Sequence, residues 1–399
     1  MLKSTSLNLE VFTRGVEDII TREELSRLLS SKKQLRIKHG IDATGELHIG
    51  HAVSLWKLRA LQEMGHKAVI LLGDITTQIG DPTGRSKSRP VLSKKEISQN
   101  LSRIIESLKK VLLTNSRVFE IHRSSEWYGK MKVPDFIKLL SLVTHARLIE
   151  REMFRKRMAQ GAEIFVHELI YPVLQGYDSV MLKSDATIIG SDQIFNEHIG
   201  RMLQERFGQK PQVIITCKIL PGLEGGEKMS KSAGNFIGIE DAPDEKLGKA
   251  MRILDELIIP YLEIYTDTPT GEVKKIEAAL ARKENPRDIK LFFAEALVRR
   301  YHGEKIAKEA KNKFLRMFSK KETADIPLVK VGKKNYLVLE LLETLKFISS
   351  RAEGRRLISQ RAVKIDNTII TRADEAVLLG GEMVVRVGKR KFTRVIFRK

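Results

Sequence analysis

Between Gln34 and Asp74 the chain switches hydrophobic period twice, and that alternation restricts the fold more than any other feature. "QLRIKHGID" alternates like a strand and stops at Gly40. A helical pattern runs from about Ile49 to Met64, with Gly65 as its C-cap. "KAVILLGD" follows, short and apolar throughout, as in a strand covered on both faces. Strand, helix and strand in that order form a βαβ unit, whose strands pair in parallel. Downstream, "ATIIGSDQ", a helix over 192–207 and "QVIITC" make a second alternating half. The predicted core is therefore α/β, built on a parallel sheet.

The remaining chain falls into recognisable blocks. Residues 16–31 carry Val16, Ile19, Ile20, Leu25, Leu28 and Leu29 at helical spacing and are predicted to be one amphipathic helix. "TTQIGDPTGRSKSRP" is punctuated by Gly80, Pro82, Gly84 and Pro90 and reads as loop. Residues 93–165 read as mostly helical, and "IFVHELIYPVLQGYDSVMLK" as a long apolar helix. "PGLEGGEKMSKSAGN" is a glycine-rich loop. Residues 243–320 read as a helical domain with alternating charge, and "SKKETADIPLVKVGKKN" as a linker. From Tyr336 onward two helical stretches pass into short strands rich in Val and Ile. The expected domains are 1–234, with a helical insertion at about 90–165, then 235–320, a linker at 321–333, and a small α+β module at 334–399.

Charge narrows the partners. Lys and Arg number 71 against 50 Asp and Glu, a formal net charge of +21. That excess points to a polyanion, nucleic acid above all, with a merely basic surface as the alternative. The only cysteine is Cys217, which leaves no internal disulfide and no Cys-based zinc site. "MLKSTSLNLE" lacks an apolar signal core, and no run of about 18 apolar residues offers a membrane span. A reducing compartment is expected, most simply the cytoplasm.

Two stretches carry chemistry. In "ATGELHIGHAVSL", His48 and His51 flank Gly50 at a helix entrance beyond the first core strand. In an open parallel sheet, ligands sit there. Helix N-termini favour phosphate, imidazoles add donors, and glycine admits close approach. Two surface histidines would look the same; a zinc pair would need a third ligand, and none is near. In "KMSKS", Lys228 and Lys231 stand in the glycine-rich loop, where ammonium groups suit a departing pyrophosphate. Alone, that loop could be a solvated turn. On the apolar helix, Tyr171, Gln175 and Asp178 share one side at i, i+4, i+7. They form a pocket for a polar ligand or a satisfied hydrogen-bond network in the core.

"HIGH" (His48 to His51) paired with "KMSKS" (Lys228 to Ser232) is a specific combination. Together with "GDPTG" (Gly80 to Gly84), "YPVLQGYDS" (Tyr171 to Ser179) and "GSDQ" (Gly190 to Gln193), it resembles the class I aminoacyl-tRNA synthetases, and within them the bacterial-type tyrosyl-tRNA synthetases. The resemblance covers essentially the whole length. It implies a Rossmann-like catalytic domain with a helical insertion for dimer contacts, a helical anticodon-binding domain and an S4-like RNA-binding domain. The ligands implied are L-tyrosine, ATP arriving with Mg2+, and tRNA(Tyr), with no protein-bound metal or prosthetic group. A homodimer and a cytoplasmic setting are implied too, and no membrane contact.

Roles carry over residue by residue. Asp178 would accept the tyrosine phenol; Tyr171, Gln175 and Asp81 would hold the α-ammonium; Gln193 would lie near the carboxylate. Lys38 stands where the family often has a tyrosine; a subset has lysine there, and the chain resembles that subset. Thr44 and His48 would face the γ-phosphate with His51 beside them, and Lys228 and Lys231 would close over the β- and γ-phosphates. Asp192 would reach the ribose, with Asp42, Gly50, Met229, Ser230 and Ser232 around the nucleotide. "DATGEL" is one residue shorter than the family pattern, with Ala43 where proline is usual. Arg85 and Arg89 would add charge for phosphate or tRNA, or are plain surface arginines.

Residues 333–399 hold 16 Lys+Arg and 7 Asp+Glu, and resemble the S4-type module. Arg351, Arg355, Arg356, Arg361 and Lys364 suit phosphate contacts, or make a solvated basic face. Aromatics there are few (Tyr336, Phe347, Phe392, Phe397), so recognition by shape is favoured over base stacking. Three other readings compete with tyrosine–tRNA ligation. They are a tryptophanyl enzyme, an RNA-binding protein that kept the scaffold without catalysis, and a nucleotidyltransferase with an HxGH-type site. "QGYDS" suits a phenol better than an indole, and the two intact motifs oppose the second reading. The third would not need two RNA-binding domains.

Overall fold

The computed structural model describes residues 11–31, 33–80, 92–230, 233–318, 327–366, 368–388 and 391–398. The chain divides into two compact units, Met1–Lys311 and Asn312–Lys399.

The first unit is organised by a six-stranded sheet. Its strands are β1 (Val16–Ile20), β2 (Arg36–Asp42), β3 (Lys67–Gly73), β4 (Phe119–Arg123), β5 (Ala186–Gly190) and β6 (Val213–Cys217). Their spatial order is β1-β6-β5-β2-β3-β4. Strands β2 to β6 run parallel, and β1 closes one edge antiparallel to β6. From β2 the chain builds outward through β3 and β4, then returns to lay β5 and β6 on the other side. The direction of winding therefore reverses between β2 and β5, and in open α/β sheets ligands bind beyond the carboxyl ends of strands at such a switch point. Burial explains the sequence signal, since every residue of β6 and all but the first of β3 are buried.

Helices cover both faces. Residues 16–31, expected as one helix, split at Thr21 into β1 and α1 (Arg22–Ser30). The hydroxyl of Thr21 accepts from Glu24 N–H while the Glu24 carboxylate accepts from Thr21 N–H. This capping box starts the helix there, and Val16, Ile19 and Ile20 are left to the sheet edge. The helix after β2 is α2 (Ile49–Glu63), with Met64 as its cap and Gly65 beyond it at φ +93°. Helix α3 (Lys94–Val111) opens the stretch expected to be mostly helical, but β4 interrupts that stretch at the sheet edge. Four short helices follow: Ser125–Tyr128, Val133–Leu140, His145–Ile149 and Glu152–Ala159. Helices α4 (Val166–Leu182) and α5 (Ile194–Arg206) flank β5 and cross closely. A Cβ on Gly176 would lie 2.9 Å from the Gly200 nitrogen, so the crossing requires glycine.

The helical part of this unit contains α6 (Pro243–Ala250), α7 (Ile258–Tyr265), α8 (Thr270–Ala281) and α9 (Pro286–His302). Tyr261, Phe293 and Leu297 are fully buried within it.

The second unit has its own core, including Val338, Leu341, Leu342, Val363, Val385 and Val395. Helices α10 (Val338–Thr344) and α11 (Arg351–Ser359) accompany a sheet containing β7 (Leu328–Val331), β9 (Val363–Ile365), β10 (Thr368–Ile369), β12 (Met383–Val387) and β13 (Lys391–Phe397). The order is β10-β9-β12-β13-β7, with β8 (Asn335–Leu337) and β11 (Ala376–Leu378) paired separately. Strand β7 lies in the stretch expected to be linker and pairs in parallel with β13.

Candidate active site

The two signature motifs meet beyond the switch point. His48 caps α2 in extended conformation (φ −119°, ψ 172°), and its N–H donates to His51 Nδ1 at 3.2 Å. The two rings lie 3.8 Å apart, centre to centre. A Cβ on Gly50 would stand 2.9 Å from the His48 ring, so glycine is what lets the imidazole fold over the helix start. The same position lies 3.8 Å from the sulfur of Met229. Residues from the lysine loop thus reach the histidine pair across 180 positions of sequence.

Main chain fastens this meeting. Ile49 N–H donates to Ile237 O at 2.9 Å, and Ile239 N–H to Leu47 O at 3.0 Å. His48 and Gly238 are bridge partners between those bonds, and a second bridge joins Pro221 to Lys228 at the loop base. Ser230 N–H donates to Asn235 Oδ1 at 2.8 Å. Lys228 Nζ pairs with Asp192 Oδ2 at 2.8 Å, with 55% and 28% of the two side chains exposed.

Asp42 ends β2 and joins three elements. Its carboxylate accepts from the Tyr171 hydroxyl at 3.0 Å and from Thr76 Oγ1 at 3.1 Å. Thr44 is exposed, and its N–H turns back to Asp42 O at 2.8 Å. Ala43, where the turn departs from the family pattern, is fully buried. Its N–H donates to Thr77 Oγ1 and its carbonyl accepts from Asn100, both at 2.8 Å.

The polar face of α4 opens on a dense buried network. Asp178, 1% exposed, accepts from Trp127 Nε1 at 3.0 Å. Burial pushes its carboxyl up to about 7, against the opposing pull of Lys38 and of its hydrogen bonds. Lys38, also 1% exposed, donates to Ser179 Oγ at 2.6 Å and pairs with Glu197 Oε2 at 2.9 Å. The other Glu197 oxygen accepts from Gln175 Nε2 at 2.9 Å. Asn196 Nδ2 donates to Gln175 Oε1 at 2.7 Å and to Gln193 Oε1 at 3.0 Å. Gln212 closes the far side on Glu197 and Ser179. His39, beside Lys38 on β2, is held neutral by burial, and its Nδ1–H donates to Ile188 O of β5 at 2.7 Å.

So Lys38, Gln175 and Gln193 share one hydrogen-bonded network through Glu197 and Asn196, Asp178 is buried on Trp127, and Tyr171 bonds to Asp42. His48, Gly50 and His51 meet Met229 at the entrance of α2, and Lys228 pairs with Asp192. Asp81, Arg85, Arg89, Lys231 and Ser232 lie outside the described residues. In the second unit, Arg351, Arg355, Arg356 and Arg361 are exposed and Lys364 is half-buried on β9. Arg351 also reaches Glu343 at 3.3 Å.

Sequence reasoning missed Trp127, Asn196 and Glu197. The available signal was the polar spacing Gln193, Asn196, Glu197 opening α5, a helix otherwise buried through Ile199 and Leu203. Among the described residues no group of three or more His, Cys, Asp or Glu side chains could hold a metal ion. No described helix is long and apolar enough to cross a membrane.

Comparison with known proteins gives the family. The chain belongs to the family described as tRNA synthetases class I (W and Y), whose profile matches residues 30–319. An S4 domain matches residues 339–384. Within that class its relatives are tyrosine–tRNA ligases. That of Thermotoga maritima is 42% identical over 97% of this chain and 96% of its own. That of Francisella tularensis is 39% identical over the whole of both. Among solved structures, the mitochondrial tyrosyl-tRNA synthetase of Aspergillus nidulans shares the fold, with a TM-score of 0.65 at 21% identity, covering 79% of this chain and 95% of that one. The tyrosyl-tRNA synthetase of Aeropyrum pernix does so at 0.61 and 22%, covering 78% and 98%.

Proposed function

We infer that the protein is a tyrosine–tRNA ligase of the bacterial type. The observation that carries the assignment is the buried Asp178 carboxylate beside Lys38, on the same helix face as Tyr171 and Gln175. Trp127 meets one oxygen of that carboxylate, and a buried carboxylate has lone pairs to spare for a ligand donor. A tyrosine phenol supplies that donor; phenylalanine would leave it unmet. Tyrosyl-tRNA synthetases are themselves the standard instance of this discrimination.

The chemistry follows from placement. The tyrosine carboxylate attacks the α-phosphate of ATP, and the α–β phosphoanhydride bond breaks to give tyrosyl-adenylate and pyrophosphate. A hydroxyl of the terminal tRNA adenosine then attacks the activated carbonyl, releasing AMP. No protein nucleophile is needed, and catalysis is positioning plus electrostatic stabilisation. Gln175, Gln193, Tyr171 and Asp81 hold the amino acid. His48, His51, Thr44, Lys228 and Lys231 act on the phosphates, and Mg2+ arrives with ATP. Asp192 serves the ribose, which requires its pairing with Lys228 to open.

Partner contacts complete the reading. Residues 235–320 face the anticodon stem, while Arg351, Arg355, Arg356, Arg361 and Lys364 of the S4-like module neutralise tRNA phosphates, with Arg85 and Arg89 assisting near the acceptor end. The enzyme is a cytoplasmic homodimer. In support, Val133, Ile137 and Val166 are 73%, 59% and 70% exposed. They neighbour an apolar groove of about 330 Å³ lined by Ile75, Ile79, Met131, Val133, Phe136 and Leu174.

Exchange of labelled pyrophosphate into ATP tests the function. Label is expected in ATP with tyrosine, and not with tryptophan, phenylalanine or no amino acid. Labelling with tryptophan, or without any amino acid, would overturn the assignment.

A further inference from the structure

Lys246, on α6, is wholly buried, and the chemistry above makes no use of it. Its Nζ donates to Gly238 O at 2.6 Å and to Ile239 O at 3.1 Å. Those carbonyls belong to the segment that leaves the lysine loop and pairs with the entrance of α2. The ammonium therefore grips, from behind, the strip of main chain that keeps the lysine loop in register with His48.

Its other side rests on the ring of Tyr301, 4.7 Å from the centre. The Tyr301 hydroxyl accepts from Trp56 Nε1 at 3.3 Å, and Trp56 lies two turns beyond His48 on α2. The Arg300 guanidinium covers the Trp56 ring at 4.4 Å. The last turn of α9, the HIGH helix and the exit of the lysine loop thus converge on one side chain. Nearby, Asp241 accepts from Gly238 N–H at 2.7 Å and from Lys249 at 2.9 Å, while Glu240 pairs with Lys110. A buried ammonium is costly unless it is held, and an apolar side chain of equal length would fill the same space without that cost.

We propose that Lys246 is a positioning residue for ATP activation: by holding the Gly238 and Ile239 carbonyls against Tyr301, it sets the lysine loop in place over the histidine pair. The proposal rests on the ligase reading. Absence of tyrosine-dependent exchange in the unaltered protein would remove that reading, whereas the variants below address Lys246 alone.

The test is Lys246→Met in the full-length protein, measured by pyrophosphate exchange and by equilibrium dialysis of tyrosine without ATP. The expected result is a fall in kcat/KM for ATP of about 100-fold, the scale of a misplaced reacting group, with tyrosine affinity unchanged. Tyr301→Leu should show the same split with a smaller loss. If Lys246→Met fails to fold, Lys246→Gln, which keeps a donor for one carbonyl, is judged by the same split. Unchanged kcat/KM for ATP, or loss of tyrosine binding in proportion, would overturn the proposal.

Discussion

The two ends of the active site are built from different materials. The end proposed for tyrosine is a lattice of side chains, with Lys38 and Glu197 each 1% exposed and joined through Gln175, Ser179 and Gln212, and with the equally buried Asp178 held by Trp127. The end proposed for the nucleotide is held by main chain, with Lys228 exposed and Asp192 half-buried. The difference matches the two tasks. Choosing one amino acid needs donors and acceptors that cannot relax around the wrong side chain. Moving charge from ATP to pyrophosphate needs cations that can follow it.

The sharpest way to break this contrast is Glu197→Leu. It strands the Lys38 ammonium in the core, and removing one partner of a buried pair costs about 3–5 kcal/mol. The urea midpoint should fall accordingly, and Lys38→Met/Glu197→Leu should recover most of the loss. Tyrosine affinity should not recover, because Gln175 has lost the carboxylate that orients it. A single variant as stable as the parent would show that the lattice is not what holds this end.

Asp178→Ala comes next. Losing a hydrogen bond to a charged group costs up to about 3 kcal/mol, roughly 100-fold in kcat/KM for tyrosine. The KM for ATP should hardly move; equal damage to both would mean the two ends are not separable.

Acidity offers a milder probe. The Asp178 carboxyl, raised to about 7, binds its proton more tightly folded than unfolded. Its contribution to stability is therefore full at acid pH and lost as pH rises toward 7, while tyrosine binding, which needs the carboxylate, moves the opposite way. Between pH 6 and pH 5 the tyrosine dissociation constant should rise about tenfold, with matching proton release in calorimetry. Asp178→Asn should abolish that slope.

The smallest effect is expected at the nucleotide end. Asp192→Asn removes an exposed ion pair, so unfolding free energy should change by less than about 1 kcal/mol. The KM for ATP should nevertheless rise, since the ribose loses its carboxylate.

The same contrast decided what could be read from sequence. Strands β3, β5 and β6 were legible because doubly covered strands are written as apolar runs, and β2 because it alternates. His48, His51 and Lys228 were legible because short motifs carry their own context. Strand β1 was mistaken for helix because Val16, Ile19 and Ile20 fit either period, and the Thr21–Glu24 box that divides them was overlooked. Strands β4 and β7 are short and lie at sheet edges, where "FEIHR" and "LVKV" have no long pattern to declare. Trp127 and Lys246 were invisible, and Asn196 and Glu197 no more than hinted at by their spacing, for a deeper reason. Each takes its meaning from a partner distant in the chain, and a polar letter does not say whether tertiary structure will bury it.

The bridges at Pro221–Lys228 and His48–Gly238 fasten the lysine segment at both ends. A strap anchored at two points has its reach fixed by how many links lie between the anchors. Residue count between Lys228 and Gly238 thus sets how far the segment can reach, and inserting one or two glycines there would leave both bridges in place while slackening the strap between them.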